Sequence, residues 1–329
     1  MRHFFVINPH SFRTLSSLKR ILIDLESCFS VGRRMEYKIY ISRHSRDAVA
    51  AVHRYLISVP SDETVRVYAV GGDGILFDCL NGMVDFPNAE LTSVPYGSAN
   101  DFVRAFGEDA KMAFRDIKKL SFAPSRPMDI IRCGASYALL AVNIGLVGKT
   151  VINANEILRH GGKDWIRSHT SKIYSLCGAR TIMDKEILHQ HYTIFVDGKD
   201  MSGNYCNIHI ANTACDGGEF VPSPYSIPDD GELEAIFMRS RSRLDTLKII
   251  GDRNNGRFGK HKFFESCKCK TMEIYSDTPL CAQMDGESFY ARELKIEIVP
   301  NGVKIFAPEE MKFTDYSYRA YSKESKVKN

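Results

Sequence analysis

Between Arg66 and Gly82 the chain changes its physical character three times within a short stretch. Arg66-Val67-Tyr68-Ala69-Val70 is a β-branched and aromatic run, which predicts a buried strand. Gly71-Gly72-Asp73-Gly74 then breaks the pattern, and Leu76, Cys79 and Leu80 follow at helical spacing. A strand, a tight glycine turn and a helix start leave backbone N–H groups facing one point. The glycines permit close approach and positive φ, and the helix N-terminus adds partial positive charge, so the turn suits an anion. Asp73 is the odd member, because a bare phosphate cradle gains nothing from a carboxylate. A metal ion, or a proton to be removed, accounts for it. Glycine turns between strand and helix are more often structural than phosphate-binding, so the meaning of this loop rests on its company.

The flanking segments repeat the same alternation. Phe4–Ile7 predicts a first strand ending at Asn8-Pro9, and Leu15, Leu18, Ile21, Leu22 and Leu25 predict a helix. Glu36–Ile41 predicts a second strand, with Ser42 and Asp47 introducing a helix over Ala48–Ile57. Leu91–Val94 predicts a fourth strand, ending at Pro95-Tyr96-Gly97-Ser98-Ala99-Asn100-Asp101, with Phe102–Phe106 helical. Such alternation implies a parallel sheet in a layered α/β domain. Ligands of these sheets lie beyond the carboxyl ends of the strands. Asn8, Ser42, Gly71–Gly74 and Gly97–Asp101 all fall at such ends, on one rim.

The 329 residues have room for a second domain, and near Pro124–Pro127 the pattern changes. Met128–Cys133, Tyr137–Ile144, His191–Val196, Cys206–Ala211, Glu232–Arg239, Thr271–Tyr275, Leu294–Val299 and Val303–Phe306 predict short strands. Turns such as Asp197-Gly198, Asp230-Gly231 and Asn301-Gly302 separate them, the pattern of a mostly antiparallel β domain. A helical insert at about 151–187 carries Lys163, Arg167, Lys172, Arg180 and Trp165, and reads as a core helix pair or as a basic lid. Arg239 to Lys270 holds ten Lys/Arg against three Asp/Glu, a solvated face or one meeting anionic lipid. The polar, basic tail after Thr314 is expected to close back on the first domain.

A formal net charge of +4 is too small to argue for nucleic acid, but favours an anionic membrane surface or a polyphosphate. Nine cysteines without a regular framework fit a reducing cytoplasm. The chain starts directly on a strand, without a signal peptide, and its most apolar run, Tyr137 to Val151, is too short to span a bilayer. Membrane contact is therefore expected to be peripheral, at the inner face of a cytoplasmic membrane.

The order of motifs resembles the diacylglycerol kinase catalytic family, in its soluble bacterial branch, which is related to sphingosine and ceramide kinases. Asn8-Pro9 matches the family's opening pair, and Gly71-Gly72-Asp73-Gly74 with Asn81-Gly82 its nucleotide loop. Pro95-Tyr96-Gly97-Ser98-Ala99-Asn100-Asp101-Phe102-Val103-Arg104 matches a further segment. Gly217-Gly218, Pro224, Asp229-Asp230-Gly231 and Asp285-Gly286-Glu287 match later ones. The resemblance runs from residue 4 to about 308. The glycine loop alone does not separate this family from NAD kinases or phosphofructokinases, which share it.

The resemblance implies an N-terminal nucleotide-binding α/β domain of the NAD-kinase and phosphofructokinase type over 1–127, completed by 308–329. It further implies a β-sandwich-like lipid-substrate domain over 128–307. The implied activity is ATP-dependent phosphorylation of a membrane lipid, diacylglycerol first, giving phosphatidic acid; homodimers are common in the family. Asn8, Pro9, Ser42, Gly71, Gly72, Asp73, Gly74, Gly97, Ser98, Asn100 and Asp101 are the implied nucleotide residues. Glu287 is the implied proton acceptor, with Asp285 and Asp73 beside it. A structural Mg2+ is implied at the Asp230 carboxylate with the carbonyls of Ile227 and Glu232. Phe12, Ile75, Asp78, Thr150 and Asp216 depart from the family pattern. Alternatives are a kinase of a soluble alcohol such as NAD, or a non-catalytic lipid- or nucleotide-binding protein. Taken as structure only, Asp285-Gly286 and Asp230-Gly231 are turns, Asn100-Asp101 is a helix cap, and His209 is a satisfied strand residue.

Overall fold

In the computed structural model, β1 (Arg2–Ile7), β2 (Tyr37–Ile41), β3 (Val65–Gly71) and β4 (Ala89–Pro95) run parallel, in the order β4-β3-β1-β2. The structure describes residues 1–317 except 13, 30–35, 108, 161–169, 219, 241 and 255–262. Every residue of β3 and β4 is buried, as expected of parallel strands covered on both faces. Helices α1 (Leu15–Phe29), α2 (Asp47–Ile57) and α3 (Asp73–Met83) make the connections. Their apolar stripes meet the sheet: Ile21, Leu25 and Phe29 from α1, Ala48, Val52 and Leu56 from α2. Short helices α4 (Asp101–Arg104), α5 (Ala110–Ala113) and α6 (Ile117–Phe122) follow β4.

The second half is antiparallel. It comprises β5 (Ser125–Cys133), β6 (Ser136–Ala138), β7 (Ala141–Gly145), β8 (His191–Val196), β9 (Lys199–Asp200), β10 (Gly203–Asn204), β11 (Asn207–Ala211), β12 (Leu233–Met238), β13 (Phe264–Cys269), β14 (Thr271–Met284) and β15 (Glu287–Phe306). Helices α7 (Leu146–His160), α8 (Thr170–Ile182) and α9 (Lys185–Leu188) lie between β7 and β8, and α10 (Arg243–Asn254) between β12 and β13. One path of hydrogen bonds, β13-β12-β11-β7-β14-β15-β4-β3-β1-β2, joins both halves. Its junction is β15, whose Lys304 and Ile305 pair in parallel with Glu90 and Leu91 of β4. The two cores also interlock. Leu139, Leu140, Val303, Ile305 and Phe306 pack into the first, while Phe77 of α3 packs into the second.

Several boundaries differ from the sequence reading, each for a visible reason. Tyr137–Ile144, expected as one strand, is two, because Leu139 and Leu140 turn their N–H groups to the Asp285 carboxylate. Asn301-Gly302, expected as a turn between strands, lies inside β15. The strand is irregular there but β5 pairs on both sides, and Asp129 accepts the Asn301 N–H at 2.7 Å. Thr271–Tyr275 is the first part of a strand that continues through a bulge to Met284. The helical insert starts at Leu146, directly after Gly145 at φ +93°. The basic run at 239–270 contains α10, which its charge pattern hid. Lys163, Trp165, Arg167 and the tail from 318 lie outside the described residues.

Candidate active site at the junction of the two cores

The rim expected from the sequence forms. Asn8 follows β1 and caps a 3-10 turn at Pro9–Ser11, accepting the His10 N–H at 3.0 Å. Pro9 supplies the first residue of that turn, where a missing N–H costs nothing. Ser42, after β2, donates its backbone N–H to Ile7 at 2.9 Å. The β3 and β4 loops are sewn together: Tyr96 and Gly97 both donate to the Gly71 carbonyl, at 2.7 and 2.9 Å. A Cβ on Gly97 would stand 2.3 Å from the Gly72 Cα, and one on Gly71 would stand 3.0 Å from the Ser11 hydroxyl. Only glycine allows backbones so close, so the glycines in this turn serve the approach of two loops. Asn100, at φ +57°, closes its loop by exchanging two hydrogen bonds with Gly97, at 3.0 and 2.7 Å. Ser98 is left exposed at the tip.

Asp73 opens α3, and its carboxylate receives the Phe102 N–H at 3.4 Å, reaching the N-terminus of α4. Burial raises its pKa. Asp101 crosses to the second half instead. Its oxygens accept the N–H groups of Gly217 at 2.9 Å and Gly218 at 3.0 Å, and Arg104 pairs with it at 2.9 Å. Those glycines sit at φ +79° and +88°, which disfavours any side chain there. Burial, with the charges of Asp73 and Asp216, pushes Asp101 up to about 7. Asn100-Asp101 is thus more than a helix cap: it is a clasp between the two cores.

Glu287 arrives from the other end of the chain. The β14–β15 hairpin turns at Asp285 (φ +48°) and Gly286 (φ +90°), and Glu287 is the first residue beyond. A Cβ on Gly74 would lie 3.9 Å from Glu287 Oε1, so the late carboxylate stands over the glycine turn. Asp285 points the other way. Its oxygens receive three backbone N–H groups, Leu139 at 2.7 Å and Leu140 and Ala141 at 3.0 Å. Burial raises it to about 7 against those bonds. Asp285 therefore fixes the turn that carries Glu287.

The residues that depart from the family pattern have local explanations. Ile75 is buried, with its Cγ2 packed under Gly71. Phe12 stacks on Tyr96, centroids 4.5 Å apart, and Arg115 lies over the other aromatic's ring at 4.7 Å. Asp78 accepts the Arg46 N–H at 3.0 Å, and burial, with the Glu287 charge, pushes it up to about 6. Thr150 folds back on the Leu146 carbonyl at 2.8 Å. Asp216 accepts from Asn143 at 2.8 Å, and Asn143 is bonded in turn to Nδ1 of His209, a buried residue of β11. Asn81 exchanges bonds with the Tyr137 backbone, both 2.9 Å, tying α3 to β6.

Asp230, expected with the Ile227 and Glu232 carbonyls to hold Mg2+, is engaged here by protein groups. Asp230 Oδ2 holds the Lys268 ammonium at 2.6 Å and Oδ1 the Glu232 N–H at 3.0 Å. Among the described residues no cluster of three or more His, Cys, Asp or Glu is set to hold a metal. The turn is held by Lys268 and by Asp129, which accepts the Gly231 N–H at 2.7 Å. Sequence reasoning also passed over Arg46, at φ +66°, and Asn155 and Tyr174 on the helical insert. No motif marks these three; they are found only through their contacts.

Residues 2–133 match the diacylglycerol kinase catalytic domain, and residues 167–307 match the YegS C-terminal NAD kinase beta sandwich-like domain. The chain belongs to the diacylglycerol kinase catalytic family. A relative from Shewanella frigidimarina, named "Probable lipid kinase YegS-like", is 24% identical over 261 residues, 78% of this chain and 80% of the relative. A Staphylococcus haemolyticus protein with lipid kinase in its name is 23% identical over 269 residues, covering 81% and 84%. In fold, the chain is similar to a Bacillus anthracis crystal structure titled as a diacylglycerol kinase, with TM-score 0.67 and 18% identity over 94% of this chain and 98% of that one. A second structure from the same organism gives TM-score 0.72 at 22% identity, with the same coverage. The family is one of kinases, and the N-terminal mixed sheet with a β-sandwich-like C-terminal domain is its architecture.

Proposed function

We propose that this protein is an ATP-dependent lipid kinase that transfers the γ-phosphoryl group to a membrane lipid hydroxyl, with diacylglycerol as the first acceptor. The observation that carries the reading is the approach of Glu287 to the Gly71–Gly74 turn, two parts of the chain more than two hundred residues apart. Phosphoryl transfer asks mainly for positioning and for neutralised charge. The closed glycine rim at the start of α3, with Asn8, Ser42, Ser98 and Asn100 about it, supplies the shape and the helix N-terminus for ATP, which brings its own Mg2+. The lipid hydroxyl has a very high pKa, so a base must take its proton as the new P–O bond forms and the bond to the β-phosphate oxygen breaks. Glu287 has that place. Asp73, next to Gly74 in the turn, orients the α4 N-terminus at the nucleotide rim, and Asp285 positions the base through its turn.

The lipid side is read from α8 and α10. Leu176, Met183, Leu244 and Leu247 are exposed, and Arg243 donates to the Met183 carbonyl at 3.0 Å, bringing the helices together. Lys172 and Arg180 of α8 and Lys248 of α10 are exposed as well. Apolar side chains framed by cations suit peripheral contact with an anionic bilayer, and none of the described helices is long and apolar enough to cross one. The test is to incubate purified protein with Mg-ATP and a total lipid extract and read new phosphorylated lipids by mass spectrometry. Phosphatidic acid appearing in step with ADP is the expected result. Phosphorylation of soluble alcohols with no lipid product would overturn it.

A further inference from the structure

Glu287 sits at the end of a two-residue turn, where small rotations of one peptide plane move a carboxylate by an ångström or more. Asp285 secures the inner side of that turn. The outer side is secured by the helical insert. Asn155 of α7 donates its Nδ2 to the Gly286 carbonyl at 3.1 Å and to the Ser288 hydroxyl at 3.1 Å. The first of these fixes the plane of the peptide that bears the Glu287 nitrogen; the second fixes the residue after it. Glu287 is thus bracketed by one amide group. The amide itself is oriented by the Tyr174 hydroxyl of α8, which donates to Asn155 Oδ1 at 3.1 Å. The Tyr174 donor and the Gly286 acceptor select the same orientation of the amide, oxygen to the phenol and nitrogen to the turn.

The helix pair is docked closely enough for this to matter. A Cβ on Gly148 would stand 2.2 Å from the Cys281 carbonyl oxygen, so α7 approaches β14 as only a glycine allows. Asn155 is seven residues on, which returns it to the same helix face, over the hairpin tip. The Tyr174 phenol also feels the site: burial raises its pKa first, and the Glu287 charge adds to that.

We infer that Asn155 and Tyr174 are positioning residues for Glu287, so that the helical insert sets the alignment of the base. The inference rests on the kinase reading and deepens it. Misplacing a reacting group by about an ångström costs on the order of a hundredfold in rate.

The test is steady-state kinetics in lipid–detergent micelles on the full chain, with hydrogen exchange over the hairpin. Asn155→Ala should lower kcat by about ten- to a hundredfold, with KM for ATP and lipid within about twofold and faster exchange at Gly286–Ser288. Tyr174→Phe should lower kcat less, and the double variant should be no slower than Asn155→Ala, because the tyrosine acts through the asparagine. Asn155→Gln, which keeps the amide, should recover part of the loss. Faster exchange or a lower Tm with kcat unchanged would assign Asn155 a purely structural role and overturn the inference. Rates that multiply in the double variant would overturn the relay from Tyr174. A wild-type protein that transfers phosphate to no acceptor would overturn the kinase reading itself, which is a different result from an active wild type with indifferent variants.

Discussion

Gly97 and Asp101 carry two different demands within five residues. At Gly97 the demand is space. A methyl group would have to sit 2.3 Å from the Gly72 Cα, and neither backbone can yield without opening the rim. Gly97→Ala should cost about 3 kcal/mol, the upper part of the range for overpacking, with a matching loss of ATP affinity. A denaturation midpoint and a nucleotide titration equal to wild type would contradict this. At Asp101 the demand is charge. Its ordinary value of 3.8 is pushed up to about 7 by burial and by Asp73 and Asp216. The folded chain therefore holds this proton more tightly than the unfolded one, and the stabilisation present below about pH 4 is lost as pH rises through about 7. Asn at 101 keeps an acceptor for the Gly217 and Gly218 N–H groups and has no proton to lose. The stability of Asp101→Asn minus that of wild type should rise steadily between those limits. A difference that does not change with pH would contradict the assignment.

At the scale of elements, the strand-turn-helix from Val65 to Met83 was legible because each piece has its own local signal: β-branched residues, glycines, then apolar helical spacing. The β14–β15 hairpin was legible only in part. Asp285-Gly286 is a turn, as its composition says, but its stability comes from Leu139–Ala141, residues of another strand pair. Nothing local in Tyr137–Ile144 reveals that break, because it is made by a carboxylate from far along the chain. Asn301-Gly302 misled for the converse reason: it has turn chemistry, yet the pairing of β5 on both sides and the bond to Asp129 keep it inside one strand. Asp285→Ala should leave three buried N–H groups without an acceptor, at roughly 1–3 kcal/mol each. A fall of at least about 3 kcal/mol in urea unfolding is expected, with Asp285→Asn falling less. An unaltered unfolding midpoint would show that the turn holds without its carboxylate.

At the scale of the whole molecule, an α/β pattern and an antiparallel pattern meet in one sheet through β15. The contacts that join them are long-range: Asp101 with Gly217 and Gly218, Phe77 in the second core, Asn81 with Tyr137. A single chain of residues shows no trace of such pairs, which is why the strand ends that form the rim are legible in the sequence while the contacts of Asn155, Tyr174 and the Lys268–Asp230 pair are not. The proposed lipid face also belongs to this scale, since α8 and α10 are some seventy residues apart in sequence. Replacing both Leu176 and Leu244 by Glu should weaken binding to phosphatidylglycerol-containing vesicles by about tenfold or more, because exposed apolar area and cation attraction act together. It should raise the apparent KM for lipid and leave that for ATP unchanged. Vesicle binding that survives both substitutions would move the membrane face elsewhere.

The claim on which the rest depends is that Glu287, standing over the glycine turn, takes the proton of the acceptor hydroxyl. It is tested most directly by following radiolabelled phosphate from ATP into diacylglycerol in mixed micelles, with wild type and Glu287→Gln side by side. The account predicts labelled phosphatidic acid from wild type and at least about a hundredfold less from the variant, whose fold and ATP binding are retained. Equal label from both proteins would contradict it.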